Sequence, residues 1–298
     1  MINFKTCCRL AAAVALFTLP AGASAATFKA VQSGTATSSS NGTTTVTITA
    51  VDTSKSFLIF QTRSDSNRPV GSMVRGRIAS STSLEFVRVT DETSTINIQW
   101  FVVEYASGVK VQRGSMTETA ATVNTSITPV SAINQAFVTW SKTPVTADYN
   151  WGNDDPVVLE LTSTSNLQMR TNYESSNHII WWQVIEYTNS ADILVQKGST
   201  SLTGTTTSVD VTLGTSVNTW KAFVLVGFQN AAGSLSSIGR RLVRARLIGS
   251  TKIRIDRDVA DAGDTLDEIA WQVVELRDGS SVQSGTPRVR ALAFPANS

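Results

Sequence analysis

Ile98-Gln99-Trp100-Phe101-Val102-Val103-Glu104, Ile180-Trp181-Trp182-Gln183-Val184-Ile185-Glu186 and Ile269-Ala270-Trp271-Gln272-Val273-Val274-Glu275 are three versions of one pattern, Ile-x-Trp-x-Val-x-Glu. Ile, Trp and Val at i, i+2 and i+4 fall on one side of an extended chain. Val103, Ile185 or Val274, with Tyr105, Tyr187 or Leu276, fall on the other. Apolar residues on both sides predict a central strand covered on two faces. The spacing allows two roles for Trp100, Trp182 and Trp271: core anchors, or a platform of three indoles for a ligand. Glu104, Glu186 and Glu275 close the same face, where a partner arginine such as Arg88 or Arg257 is the structural expectation and a ligand-binding carboxylate the other.

A second pattern, Val-Gln-x-Gly, occurs four times, beginning at Val31, Val111, Val195 and Val282, with spacings of 80, 84 and 87 residues. A third comprises Ser56-Phe57-Leu58-Ile59, Ala136-Phe137-Val138-Thr139 and Ala222-Phe223-Val224-Leu225. Landmarks that keep one order and nearly one period mark tandem homologous units. Between them the period is two: Val46, Ile48 and Ala50 alternate with threonines, and Val209, Val211 and Leu213 repeat the alternation. The expected fold is all-β: three tandem antiparallel β-sandwich units of about 80–87 residues, each of about six strands, following a signal peptide. The expected boundaries are 1–25 for the leader, 26–110 and 111–194 for the first two units, and 195–298 for the third with a C-terminal tail. Val111 and Val195 each follow a Trp strand after a short turn, which predicts a hairpin with that strand.

The leader is read from Lys5 and Arg9, the apolar stretch Leu10 to Leu19, and the small residues Ala23-Ser24-Ala25, with Ala26 starting the mature chain. It removes both cysteines, Cys7 and Cys8, and two of the 25 basic residues, leaving 23 against 23 acidic ones. Export to an extracellular or periplasmic space is expected. So are no nucleic-acid partner, since no basic field remains, and no integral membrane insertion. Serine and threonine supply 75 of 298 residues, which favours strands over surface helices.

A single histidine, His178, leaves little for chemistry. It is read as an ordinary strand-entry residue, and Asp154-Asp155 as a loop cluster with no second element facing it. No catalytic residue, metal ligand or cofactor is expected, and the chain is read as not an enzyme. One segment departs from its sister units: Asp148-Tyr149-Asn150-Trp151-Gly152-Asn153-Asp154-Asp155. Aromatics among amides and carboxylates equip a sugar site, with ring faces on C–H groups and polar groups on hydroxyls. Tyr149, Asn150, Trp151, Asn153 and Asp154 are the candidate ligand-binding residues. The structural alternative is that Trp151 folds back over an adjacent unit.

The unit order resembles the short domain of the H-type lectins: a β-branched strand, Ser-Phe or Ala-Phe, Val74-Arg75-Gly76-Arg77-Ile78, Leu84-Glu85-Phe86 and the terminal Trp strand. The resemblance implies six-stranded sandwiches clustered around a threefold axis and binding sugars such as N-acetylgalactosamine. That family's Trp strand ends in small residues where this chain has Val-x-Glu, and no sugar-contacting motif matches residue by residue. Two functions follow as expectations. One is a lectin-like adhesion protein contacting carbohydrate or a cell surface; the other is a structural subunit forming a homo-oligomer or filament by strand addition.

Overall fold

The computed structural model describes residues 24–39, 41–89, 94–144, 148–172, 176–230 and 240–282. Most of the predicted leader, Asp91-Glu92, and the tail from Gln283 onward lie outside the described residues. Within them the chain is almost entirely β, in six antiparallel three-stranded sheets. The first joins β1 (Thr27–Ser38), β6 (Ile96–Ser107) and β3 (Ser56–Ser64), with β6 in the middle. The second joins β2 (Gly42–Thr47), β5 (Ser83–Arg88) and β4 (Arg75–Ser80). The arrangement recurs in β7 (Val109–Thr117), β12 (Ile179–Tyr187) and β9 (Ala136–Thr143), followed by β8 (Thr122–Ser126), β11 (Asn166–Arg170) and β10 (Val158–Ser163). It recurs again in β13 (Ile193–Leu202), β18 (Leu266–Leu276) and β15 (Ala222–Gln229), then β14 (Ser208–Thr212), β17 (Lys252–Asp256) and β16 (Arg244–Gly249). Helical turns are short, as at Pro69–Ser72 (α1) and in the 3-10 turn Ile133–Gln135.

Each Trp strand is the middle strand of its sheet, and its two faces serve two cores. Ile98, Trp100 and Val102 of β6 pack with Ile78, Leu84 and Phe86 of the second sheet. Ile180, Trp182 and Val184 do the same with Leu159, Leu167 and Met169, and Ile269, Trp271 and Val273 with Ile253 and Ile255. The opposite faces meet in a shared cluster that contains Phe57, Tyr105, Phe137, Ile185, Tyr187 and Val274. Phe137 lies edge-on to both Phe57 and Phe223, with ring centroids 6.0 and 5.9 Å apart.

The hairpin expectation is overturned. Val-Gln-x-Gly strands pair with the Trp strand that comes later in the chain, so that Gly34 faces Trp100, Gly114 faces Trp182 and Gly198 faces Trp271. A Cβ on these glycines would lie 2.6, 2.5 and 2.6 Å from an indole carbon, so only glycine lets the ring approach. A hairpin through Ala106-Ser107-Gly108 could also have brought Gly114 opposite Trp100. Either register gives each of the three Trp strands one Val-Gln-x-Gly segment; the hairpin would have left β1 over, and the observed pairing uses the copies beginning at Val31, Val111 and Val195. Gly108, at φ +76°, turns the chain out of the first sheet, and Val111 N–H then donates to Ser54 O at 2.8 Å.

The polar residues of both repeated patterns hold one loop. Gln32 clamps Thr49, its amide donating to Thr49 O and its oxygen accepting from Thr49 N–H. Gln112 clamps Thr128 and Gln196 clamps Thr215 in the same way. Three residues further on, Glu104 accepts the N–H of Asp52 at 2.8 Å, Glu186 that of Ser131 at 2.7 Å and Glu275 that of Asn218 at 2.8 Å. The glutamates therefore cap loops instead of pairing with Arg88 or Arg257. Buried Arg88 donates to Ser94, and Arg257 to Gly204 O and Thr206 O. Lys29 and Arg277 add ion pairs to Glu104 and Glu275 from the partly solvated side.

Gly114→Ala is expected to cost about 1–3 kcal/mol by overpacking, and Trp182→Ala about 3–5 kcal/mol. The double variant should cost less than the sum, because the methyl group fills space the indole vacates. Denaturant melts of the four proteins in this cycle check the coupling.

Candidate functional site

The segment joining β9 to β10 is where the candidate ligand residues sit. Tyr149 is exposed, with the Arg68 guanidinium 5.2 Å from its ring centroid, and Asn150 is exposed beside it. Trp151 is half-buried and donates its indole N–H to Asn67 O at 2.7 Å, so it reaches across to the loop before α1. Asn153 donates its amide to Asn172 O at 2.8 Å. Asp154 turns inward. Two of the five side chains are thus free toward solvent and three are engaged within the protein.

Trp151 also borders a cavity of about 520 Å³ where β3, β9 and β15 approach one another. Its walls are mainly apolar and include Phe60, Trp140, Trp151, Trp181, Phe228 and Met73; Gln183, Lys142 and Asp155 are among its polar groups. Two elements fix the walls. The Gln183 side chain is bonded to the backbone of Leu58, donating to its O at 2.9 Å and accepting from its N–H at 3.0 Å. Arg75 and Arg77 stand over the ring of Trp181 at 4.9 and 4.4 Å. A space of this size with aromatic walls and few polar groups suits a small ligand that offers a flat apolar face.

Beside the cavity lies a buried polar cluster. Lys142 of β9 forms an ion pair with Glu118, just beyond β7, at 2.5 Å, and also donates to Asp154 O. His178, just before β12, points Nε2 at Asp148 Oδ2 (3.4 Å) and Asp154 Oδ2 (3.7 Å), with Nδ1 3.7 Å from Glu118 Oε2. Asn177, at φ +59°, and the backbone bonds Glu118 N–H to His178 O and Asn177 N–H to Glu118 O hold the imidazole in place. The readings of His178 as a plain strand-entry residue and of Asp154-Asp155 as facing no second element are therefore corrected. Glu118 and Asp148 lie 60 and 30 residues before His178 along the chain, and both face its imidazole.

Sequence reasoning missed this cluster, yet a signal existed. Counted from their landmarks, Glu118, Lys142 and His178 stand where the first unit has Ser38, Thr62 and Ile96, and the third Leu202, Phe228 and Asp267. Three departures in one unit fall on one point in space.

Burial governs the electrostatics. The Asp155 carboxyl is pushed up to about 8, first by burial and then by the neighbouring Asp148 carboxylate. Asp148 is raised by burial and by Asp154, and Glu118 by burial in spite of Lys142. His178 is held down at about 3 by burial and then by the Lys142 ammonium. The imidazole is therefore neutral at physiological pH, with one nitrogen able to accept.

The chain matches no protein-family model and no curated protein.

Between pH 3.8 and about 8 the folded chain keeps a proton on Asp155 that the unfolded chain has released, so this contribution to stability falls as pH rises. His178 acts oppositely between about 3 and 6.5, where only the unfolded chain is protonated. In buffers containing EDTA, stability is expected to fall from pH 6.5 to 8, where the carboxyl acts without that opposition. Asp155→Asn should flatten the fall, as urea melts at several pH values will test.

Proposed function

We propose that the chain is an exported, non-catalytic binding protein, lectin-like in its mode of contact, which takes a carbohydrate ring of a glycan or cell surface into the aromatic cavity. The observation that carries this reading is the convergence of Trp140, Trp151 and Trp181 on one cavity bordered by Gln183, Lys142 and Asp155. Pyranose C–H faces pack on indole rings, while Gln183 and Lys142, bonded to Leu58 and Glu118, hold the walls in place. Three-unit sandwich architecture of the H-type lectin kind belongs to the same proposal. It is supported by cores that draw on paired sheets and by the recurring Gly–Trp register. Titration against a glycan panel, followed by tryptophan fluorescence, is expected to give saturable binding that Trp181→Ala weakens at least about tenfold, as loss of an aromatic anchor does. Absence of any saturable glycan response in the intact protein would overturn the reading.

Export has its own support. Ala26 is buried, and its backbone nitrogen lies 2.6 Å from Asp192 Oδ2. Cleavage after Ala25 would place the new ammonium against that carboxylate, turning a neutral hydrogen bond into a charge-assisted one. Mass spectrometry of the exported protein should find Ala26 first.

A structural subunit that binds copies of itself is the second reading, and one asymmetry favours it. Gln183 clamps Leu58, and Gln272 clamps Val138 between 2.9 and 3.0 Å, yet the first unit carries Phe101 at the corresponding position. On that same sheet Phe28, Val31 and Ile59 are 49%, 50% and 41% exposed, although Val111 and Val195, the counterparts of Val31, are buried. A head-to-tail contact between this face and the third unit of another copy would extend the internal arrangement and form open filaments. Light scattering that grows with concentration, and is suppressed by Val31→Lys, would support it.

A further inference from the structure

The polar cluster beside the cavity has the composition and geometry of a cation site. Asp148, Asp154 and His178 gather on one point, next to Glu118, whose carboxylate is paired with Lys142. His178 is only 1% exposed, and its Nε2 faces the Asp148 and Asp154 carboxylates at 3.4 and 3.7 Å. A buried imidazole nitrogen and two carboxylate oxygens turned toward one another suit a ligand that accepts lone pairs.

We propose that Asp148, Asp154 and His178 bind one divalent transition-metal ion of the zinc class through Oδ2, Oδ2 and Nε2. All three donor atoms lie within 4.8 Å of one another, and the nitrogen stands 3.4 and 3.7 Å from the two oxygens. Ligands at zinc distances of about 2.0–2.2 Å in tetrahedral geometry are separated by about 3.4 Å. An imidazole in the set speaks against calcium and magnesium, which take oxygen. The reverse side of the ring fits the same assignment. With Nε2 on the metal, the proton sits on Nδ1 and faces Glu118 Oε2 at 3.7 Å, and Glu118 is itself held by Lys142. A carboxylate behind a metal-bound histidine is the usual orienting partner. Composition had argued against any metal because there is one histidine; one is enough when the fold brings two aspartates to it. The bound ion would pin residues 148–155, and with them the position of Trp151 at the cavity.

The test uses the full chain stripped with a chelator and then titrated with zinc, cobalt or calcium, with no glycan present, so its outcome is independent of the proposed ligand. One zinc per chain is expected, with a rise in melting temperature, and cobalt should give the intense visible absorption of a tetrahedral site. His178→Gln and Asp148→Asn should each weaken zinc binding at least about a hundredfold. Glu118→Gln should keep the stoichiometry and weaken binding by about 10- to 100-fold. Should the variants fail to fold, the wild-type cobalt spectrum decides: weak octahedral bands, or none, overturn the proposal. Binding of calcium in preference to zinc, or zinc binding unchanged in both ligand variants, overturns it equally.

Discussion

An indole seated against a bare glycine backbone is the contact on which this molecule is built. Trp100, Trp182 and Trp271 each fill the space over Gly34, Gly114 or Gly198, where even a methyl group would collide. The register that brings them together fixes everything around it, since a slip of one residue would turn Ile, Trp and Val away from the outer core. It also positions the glutamine two residues before each glycine and the glutamate four residues after each tryptophan to hold the same loop. Apolar packing sets the strands, and two side-chain clamps per unit set the connections.

Much of this was legible in the chain. Period-two alternation and Val-Gln-x-Gly recurring with Ile-x-Trp-x-Val-x-Glu announce strands, and two-sided apolar character announces which is central. Pairing partners were not legible, because the local and the long-range register both oppose a glycine to a tryptophan. The glutamates misled for a related reason: a carboxylate at a strand end looks for a cation in sequence, but here backbone N–H groups from a loop about 50 residues away occupy it. Backbone donors carry no residue-type signature.

The same limit explains the site. Trp151 stands out by composition, but its indole N–H bonds the backbone of Asn67, which no side-chain pattern reveals. His178 gains its meaning only from Glu118, which follows β7, and from Asp148 and Asp154 on the β9–β10 connection. What distinguishes the middle unit is a set of substitutions at positions its sisters fill with Ser38, Thr62 and Ile96 or Leu202, Phe228 and Asp267. The recurring sequence patterns supply the frame, and departures from them mark the site.

The surplus copy of Val-Gln-x-Gly bears on how the chain reaches this state. Three Trp strands offer three places to four copies of the pattern. A polypeptide delivered N-terminus first presents β1 before β6, so β1 can take its place on β6 before β7 exists. With β6 held, β7 is left for β12, and β13 in turn for β18. The register set at β1 would then pass along the chain, each pairing leaving the following strand for the next Trp strand.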